Sequence, residues 1–345
     1  MVLCKMADAW ARLVRIHFLP LQAQAQAQLS SCSMREISGS NRWLTDECNG
    51  GSFCAPFVRE CAGWPVYRLD LLSDTVTGKT RVTLIVHVDP VRLGLQKEFV
   101  RSRFVPVLLA CVGLLNEATG KARESVHVTF AAHSARRMLP ELVGAAIMPE
   151  NVNGGVTFID TQRVLVYREE DACKVLIHEL LHLYGYDNKL RYSQAAERRV
   201  MLEYGVQLLG GSMGHLGLSE CYIDAIACFL HGHVEGSATK DVMMHMDVVA
   251  TRLLMHYGRD PLSIGSGPHK IVEGTHGFSY SVCKAALWRD IRAFLDAHPP
   301  SMMPNNPEAF ATLVIGAVRK WSPSRAVMKA AASGSSMRMT PLSIK

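Results

Sequence analysis

The sequence predicts an α+β fold with a strand-bearing N-terminal lobe, a helical C-terminal lobe and a candidate active-site helix between them. Residues 82–88 (VTLIVHV) and 127–132 (HVTFAA) have the apolar patterns of strands. The NGG turn at 153–155 introduces two short apolar runs that are typical of a hairpin. From residue 170 onwards the apolar residues recur mainly at helical spacing. Strands that come first and helices that follow indicate an α+β arrangement.

The chain divides by composition into three segments. Residues 1–60 combine a QAQAQAQ tract with Ser, Gly, Asn and Cys, which predicts a weakly ordered extension with one short helix near 9–18. Residues 61–300 are expected to form the globular domain, with an apolar helix at about 98–117 between the first two strands. Residues 301–345 are rich in Pro, Ser and Met, so we expect a loosely ordered tail.

The charge and cysteine content narrow the class of protein. The net charge of +6 comes without a basic block or a patch of interleaved aromatic residues, so the composition does not favour a nucleic-acid partner. Ten cysteines occur without a CxxC pair, which argues against a zinc ribbon or a thioredoxin-like motif. Several of them lie in apolar helical patterns, as free thiols do, and this favours a reducing, intracellular setting.

No segment of the sequence predicts an association with a membrane. The longest apolar run, residues 105–115, is too short to span a bilayer. The first residues do not form a clear signal peptide, because Lys5, Asp8, Arg12 and Arg15 interrupt their apolar stretch.

The most informative segment is EEDACKVLIHELLHLYGYDN, residues 169–188. His178 and His182 are four residues apart, so on a helix both imidazoles project from one face, one turn apart. Two nitrogens in that arrangement can bind one tetrahedral zinc ion. Glu179 adjoins His178, and its carboxylate can take a proton from a water molecule without occupying a coordination position. The pattern HExxH therefore predicts a zinc site with a general base.

The sequence also indicates where this helix begins and where it ends. Asp171 is a plausible N-cap residue, and Gly185 is a natural stop just beyond the last helical residue.

A third protein ligand must come from elsewhere in the chain. A histidine six residues after His182 would be one solution, but Asn188 occupies that position and is a poor zinc ligand. Glu203, in the apolar run RVMLEYGVQLLG, is the favoured candidate, and Asp187 is the alternative. Two other glutamates are less favoured: Glu197 lies in a polar AAERR run, and Glu220 has the position of an early-turn residue of the next helix.

Together these motifs resemble zinc metallopeptidases encoded by large DNA viruses. That family combines a VNSG-like turn, an R-x-E-E-x-x-K-V-L-x-H-E-x-x-H core and a downstream helix with a glutamate. The matching positions here are Val152, Asn153, Gly155, Arg168, Glu169, Glu170, Lys174, Val175, Leu176, His178, Glu179, His182 and Glu203. The resemblance covers residues 150–287 approximately, and it includes the late aromatic stretch THGFSYSVCKAAL.

The resemblance implies a zincin-like fold of the gluzincin type, and a viral protein that acts in the host cytoplasm or the virion. The expected activity is endopeptidase cleavage of a protein or peptide substrate, with Zn²⁺ as cofactor and Glu179 as general base. Tyr280 and His276 are candidate donors to the developing oxyanion. An extended substrate could pair with the run RVLVYR or with its hairpin partner VTFID.

Two other functions remain open from the sequence. The segment HELLHLYGYDN is also similar to the HGxLHxxGYDH motif of metal-dependent endoribonucleases that process ribosomal RNA, although Asn188 replaces the last histidine and Glu179 replaces the glycine. The other alternative is a non-catalytic protein that keeps the metal as a structural cross-link. The intact Glu179 favours the peptidase over both, because neither alternative requires a carboxylate at that position.

Overall fold

The computed structural model describes residues 7–29, 34–37, 44, 55–190, 193–209, 216–264, 270–300 and 306–340. The chain divides into two compact units. The first unit comprises Met1–Ala135, Gly154–Gly185 and Pro299–Ser301, and the second comprises Arg136–Asn153, Tyr186–His298 and Met302–Lys345. No helix in the described ranges has the length and apolarity needed to cross a lipid bilayer.

A six-stranded mixed sheet forms the framework of the first unit. Its strands are β1 (Arg35–Ile37), β2 (Val66–Thr75), β3 (Gly78–His87), β4 (Ser125–Ala131), β5 (Gly155–Phe158) and β6 (Arg163–Val166). The spatial order is β1-β2-β3-β4-β6-β5. β3 pairs in parallel with β4, and β4 pairs in parallel with β6, whereas the other pairs are antiparallel.

The sequence patterns located most of this sheet. The predicted strands at 82–88 and 127–132 correspond to β3 and β4, and the predicted hairpin after the NGG turn is formed by β5 and β6. The prediction of a mixture of helices and strands is confirmed. The parallel pairs were not anticipated. They require crossover connections, and the β3–β4 crossover runs through a long apolar helix, as such connections usually do.

The helices of the first unit pack on this sheet and on one another. They are α1 (Ala7–Leu13), α2 (Leu19–Leu29), α3 (Leu93–Phe99), α4 (Val105–Thr119) and α5 (Ala172–Leu183). Two π-helical turns, Val14–Phe18 and Val100–Phe104, join α1 to α2 and α3 to α4. α5 contacts α4, β5 and β6, so the helix predicted to carry the site belongs to the unit that contains the sheet.

The described part of the N-terminal segment differs from our expectation of weak order. The short helix predicted near 9–18 is present, but it continues through α2, which packs against α4. Trp10, Val14 and Phe18 recur every four residues and are buried, so they form an apolar stripe. The glutamines and alanines of the QAQAQAQ tract favour a helix once that stripe is docked.

The second unit is mainly helical. Its helices are α6 (Gln194–Tyr204), α7 (Leu218–Val234), α8 (Thr239–His256), α9 (Lys284–Trp288), α10 (Ile291–Ala297), α11 (Pro307–Lys320) and α12 (Arg325–Ala332), together with a short turn at Pro149–Val152 and a π-helical turn at Ser279–Cys283. A parallel pair of short strands, β7 (Val206–Leu208) and β8 (Ile271–Glu273), completes it. α7 packs against the π-helical turn and α9 through a largely buried surface.

The expected loose tail after residue 300 is also corrected. Within its described part, α11 and α12 are regular helices, and Phe310, Val314 and Val318 bury one face of α11. Beyond α12, Met337 and Met339 are buried as well. The Pro, Ser and Met content of this stretch concealed an apolar repeat of four residues, which is typical of an amphipathic helix.

Candidate metal centre

The helix α5 begins and ends where the sequence indicated, although its start has an unusual backbone. Asp171 precedes the first helical residue with φ +59° and ψ 21°, and its side chain accepts no hydrogen bond from the helix backbone. The predicted N-cap position is therefore correct, but the predicted capping contact is absent. At the other end Gly185 has φ +76°, the left-handed conformation that glycine adopts readily after a helix.

The two histidines of α5 face the same point. The Nε2 atoms of His178 and His182 are 3.0 Å apart, and both side chains are buried. A tetrahedral zinc ion with two nitrogen ligands at about 2.0–2.1 Å would hold those nitrogens about 3.3 Å apart. The pair therefore needs to open by only a few tenths of an ångström to bind zinc.

Glu179 is held by strand β5. Its carboxylate Oε2 accepts a hydrogen bond from the hydroxyl of Thr157 at 2.8 Å, and the same hydroxyl lies 2.8 Å from the backbone oxygen of Glu179. Gly155 makes this close approach possible, since a Cβ atom there would lie 2.9 Å from Cγ of Glu179 and 2.8 Å from Cγ1 of Val175. Strand and helix together fix the side chain that we expect to act as a base.

A third donor accompanies the two imidazoles. Within the described residues, ligand atoms of His178, His182 and Glu220 all lie within 4.8 Å of one another. Two imidazole nitrogens and one carboxylate oxygen are a donor set that zinc accepts in catalytic sites. This group could therefore hold a metal ion. Glu220 stands in the first turn of α7, where we had placed it as a less favoured candidate.

Glu203, the favoured third ligand in the sequence, is not part of that group. Its Oε1 is 2.7 Å from Nη2 of Arg319, and its side chain is 31% exposed. The buried face of α6 instead presents Glu197 and Val200. Leu202 beside Glu203 is 78% exposed, so the apolar neighbours that had suggested a buried glutamate do not mark the buried face.

Asp187, the alternative ligand, is fully buried but also lies outside the group of three. It is close to Tyr222, whose pKa is raised by burial and, to a lesser extent, by Tyr186 and Asp187. Asn188, which replaces the third histidine of the nuclease motif, is exposed.

Tyr280 lies beside Glu220 in the structure. Its hydroxyl donates a hydrogen bond to Oε2 of Glu220 at 3.0 Å. The ring of His276 lies 6.2 Å from that of Tyr280, centroid to centroid, and is buried. Tyr280 therefore contacts the carboxylate of the candidate metal ligand.

One turn further along α7, a buried ion pair joins it to α9, the helix that directly follows the π-helical turn with Tyr280. Nζ of Lys284 lies 2.7 Å from Oδ2 of Asp224, and the two side chains are 2% and 0% exposed. Asp224 follows Glu220 by four residues, and Lys284 follows Tyr280 by four, so the two polar contacts repeat with the period of a helix. Both contacts together fix the register between α7 and residues 280–284.

Sequence reasoning did not single out Thr157, and it ranked Glu203 above Glu220, whose carboxylate lies beside the two imidazoles. The glutamate could have been recognised by the spacing of Glu220 and Asp224, which places two carboxylates on one face of an otherwise apolar helix.

No protein-family model, no curated protein sequence and no solved structure matches this chain significantly.

Proposed function

We propose that this protein is a zinc-dependent endopeptidase that uses a water molecule to cleave peptide bonds. The observation that carries the proposal is the pair of Nε2 atoms 3.0 Å apart on α5, with the Glu179 carboxylate one residue away and held by Thr157. A paired imidazole site with an adjacent carboxylate is the arrangement that metal-assisted hydrolysis requires.

The ligand set that we propose is His178, His182 and Glu220, since their ligand atoms form one group. A zinc ion bound there would lower the pKa of water and polarise the peptide carbonyl. Three protein ligands would leave a fourth position for water or substrate, as in other catalytic zinc sites.

Glu179 is proposed as the general base and then as the proton donor. Its carboxylate takes a proton from the attacking water and passes it to the departing amine, so that the C–N bond can break without releasing an amide anion. The hydroxyl of Thr157 keeps the carboxylate in place between these two transfers. Tyr280, by donating to Glu220, limits the rotation of the third ligand.

One edge strand of the sheet lies beside the candidate base, where an extended peptide could pair with it. β6 is paired on both sides, with β4 and β5, so the run RVLVYR cannot accept a further strand. β5 is one of the two edge strands of the described sheet, and it is the one that carries Thr157. We therefore propose that an extended peptide pairs with VTFID, which covers most of β5, and not with RVLVYR. A peptide added there would run beside Thr157, which holds the proposed base.

The peptidase proposal is tested by zinc content and by cleavage of a peptide library, measured on the same preparations of the wild type and of Glu179→Gln. We expect one zinc per chain in both proteins and cleavage by the wild type alone. Equal cleavage by both would remove Glu179 from the mechanism. Zinc in both without cleavage in either would favour the structural metal site, and cleavage of RNA instead of peptides would favour the nuclease.

A further inference from the structure

The helix that carries Glu220 has no capping side chain of its own. α7 begins after Gly217, which has φ +69° and no side chain to accept hydrogen bonds from the first N–H groups. Such groups are left without partners at every helix start, and usually a Ser, Thr, Asp or Asn at the N-cap accepts from one of them. Gly217 cannot do so.

The acceptor comes from a different helix. Oε1 of Glu197, on α6, accepts hydrogen bonds from the backbone N–H groups of Gly217 and Leu218, each at 3.1 Å. Glu197 is only 3% exposed. A carboxylate buried to this degree is costly unless it is hydrogen-bonded, and a negative charge at a helix N-terminus also interacts favourably with the helix dipole.

The position of this cap is tied to the position of Glu220. A Cβ atom on Gly217 would lie 2.8 Å from Cγ of Glu220 and 2.7 Å from Nδ1 of His276, so the glutamate side chain packs directly over the capped glycine. The N–H of Glu220 also donates to the backbone oxygen of Gly217. Any shift of Gly217 would therefore be passed on to Glu220.

We infer that Glu197 is a positioning residue, which orients Glu220 for metal binding by capping the first turn of α7. The inference rests on the proposed function, because it takes Glu220 as a zinc ligand. Glu197 is not one of the three candidate ligands, and it would act on Glu220 through its hydrogen bonds to the backbone N–H groups of Gly217 and Leu218. Its loss should weaken zinc binding more than an equal loss of stability elsewhere in the unit would.

The experiment measures the Kd for Zn²⁺ of the full chain by competition with a chromophoric chelator. The variants are Glu197→Ala, which removes the acceptor, and Glu197→Gln, which keeps an amide oxygen in its place. The control is Asn306→Ala, which removes the side-chain cap of α11, where Asn306 accepts from the N–H of Ala309 at 3.0 Å. Thermal unfolding midpoints are recorded for all of them, so that stability and metal affinity are compared directly.

We expect Glu197→Ala to raise the Kd by about 10- to 100-fold, which is the usual effect of losing a partner that orients a metal ligand. Glu197→Gln should stay within about threefold of the wild type, and Asn306→Ala should lower the unfolding midpoint without changing the Kd. If Glu197→Ala does not fold, Glu197→Asp serves instead, since the shorter side chain withdraws the carboxylate from both N–H groups.

A wild-type Kd in Glu197→Ala or Glu197→Asp would overturn the inference and leave the proposed zinc site standing. An equal rise of the Kd in Asn306→Ala would also overturn it, because the effect would then follow global stability. A wild-type protein that binds no zinc would contradict the proposed function itself, and the inference with it.

Discussion

The hydroxyl of Tyr280 donates its hydrogen bond to Oε2 of Glu220, 3.0 Å away. A hydroxyl used in this way would orient the proposed metal ligand, whereas the sequence suggests that Tyr280 donates to the oxyanion of the substrate. The two roles make different predictions for Tyr280→Phe. If the hydroxyl orients Glu220, the variant should bind zinc about tenfold more weakly, since second-layer partners of metal ligands usually contribute at least that much.

The alternative role for Tyr280 would show in the kinetics. An oxyanion donor lost by substitution typically lowers kcat by about 100- to 1000-fold without affecting the metal. Chelator competition and steady-state kinetics on the same Tyr280→Phe preparation separate the two. An unchanged zinc affinity with a large loss of kcat would contradict the orienting role.

Thr157→Val tests whether the hydroxyl of β5 holds Glu179, the proposed general base. Valine keeps the shape of threonine but cannot donate to the Glu179 carboxylate. A hydrogen bond to a charged group contributes about 1.5–3 kcal/mol, so we expect kcat to fall at least about tenfold while the zinc content stays at one per chain. Thr157→Ser keeps the hydroxyl and should retain most of the activity. Equal kcat values for the Val variant and the wild type would exclude this role.

Gly155→Ala tests the close approach of β5 to α5. The added Cβ would lie 2.8 Å from the backbone oxygen of Leu165 and 2.9 Å from Cγ of Glu179, so backbone and helix must separate. Overpacking of this kind costs about 1–3 kcal/mol of unfolding free energy, which urea denaturation measures. Gly94→Ala is the matched control, because nothing lies within 4 Å of a Cβ at that helical position and alanine favours a helix. A Gly155→Ala protein as stable as Gly94→Ala would contradict the packing.

The raised pKa of Glu273 predicts that the free energy of unfolding depends on pH. Burial raises its pKa from 4.5 to about 8, although the backbone N–H groups of Phe278 and Gly277 oppose the shift. The folded chain thus keeps a proton that the unfolded chain has already lost. The stability that this proton provides is full below about pH 4.5, declines as the pH rises and is lost above about pH 8, with a slope of at most about 1.4 kcal/mol per pH unit.

The substitution Glu273→Gln should remove that dependence. The difference in unfolding free energy between Glu273→Gln and the wild type should grow in favour of the variant from pH 5 to about pH 8 and then level off. Denaturant titrations at each pH measure it. A difference that does not change with pH would show that Glu273 has the same pKa in the folded and unfolded chains.

The parts of the structure that were predictable from the sequence are those set by local spacing. The separation of His178 and His182 by four residues places their imidazoles together on any helix, and the NGG turn marks its hairpin without knowledge of the rest of the fold. The choice of a third candidate ligand depends on which face of a distant helix is buried. Glu203 and Glu220 both have apolar neighbours in the sequence, and only the packing of α6 and α7 distinguishes them.

The contacts of Thr157 and Glu197 were not predictable for a related reason. Each joins two elements that are separated by about 20 residues, and neither residue belongs to a motif with a fixed spacing. Most of the helical order of the two terminal segments was not predicted, because their overall composition concealed the helical spacing of their apolar residues. Phe310 and Val314 repeat at helical spacing in a stretch whose prolines and serines had suggested a loose tail.

The proposed ligand set of His178, His182 and Glu220 is tested most directly by elemental analysis of zinc in the wild type, Glu220→Ala and Glu203→Ala. Both variants remove one glutamate carboxylate, but Glu203 is paired with Arg319 at a partly exposed position and serves as the matched control. The predicted result is one zinc per chain in the wild type and in Glu203→Ala, with loss of zinc in Glu220→Ala. Zinc that is retained in Glu220→Ala and lost in Glu203→Ala would contradict the assignment.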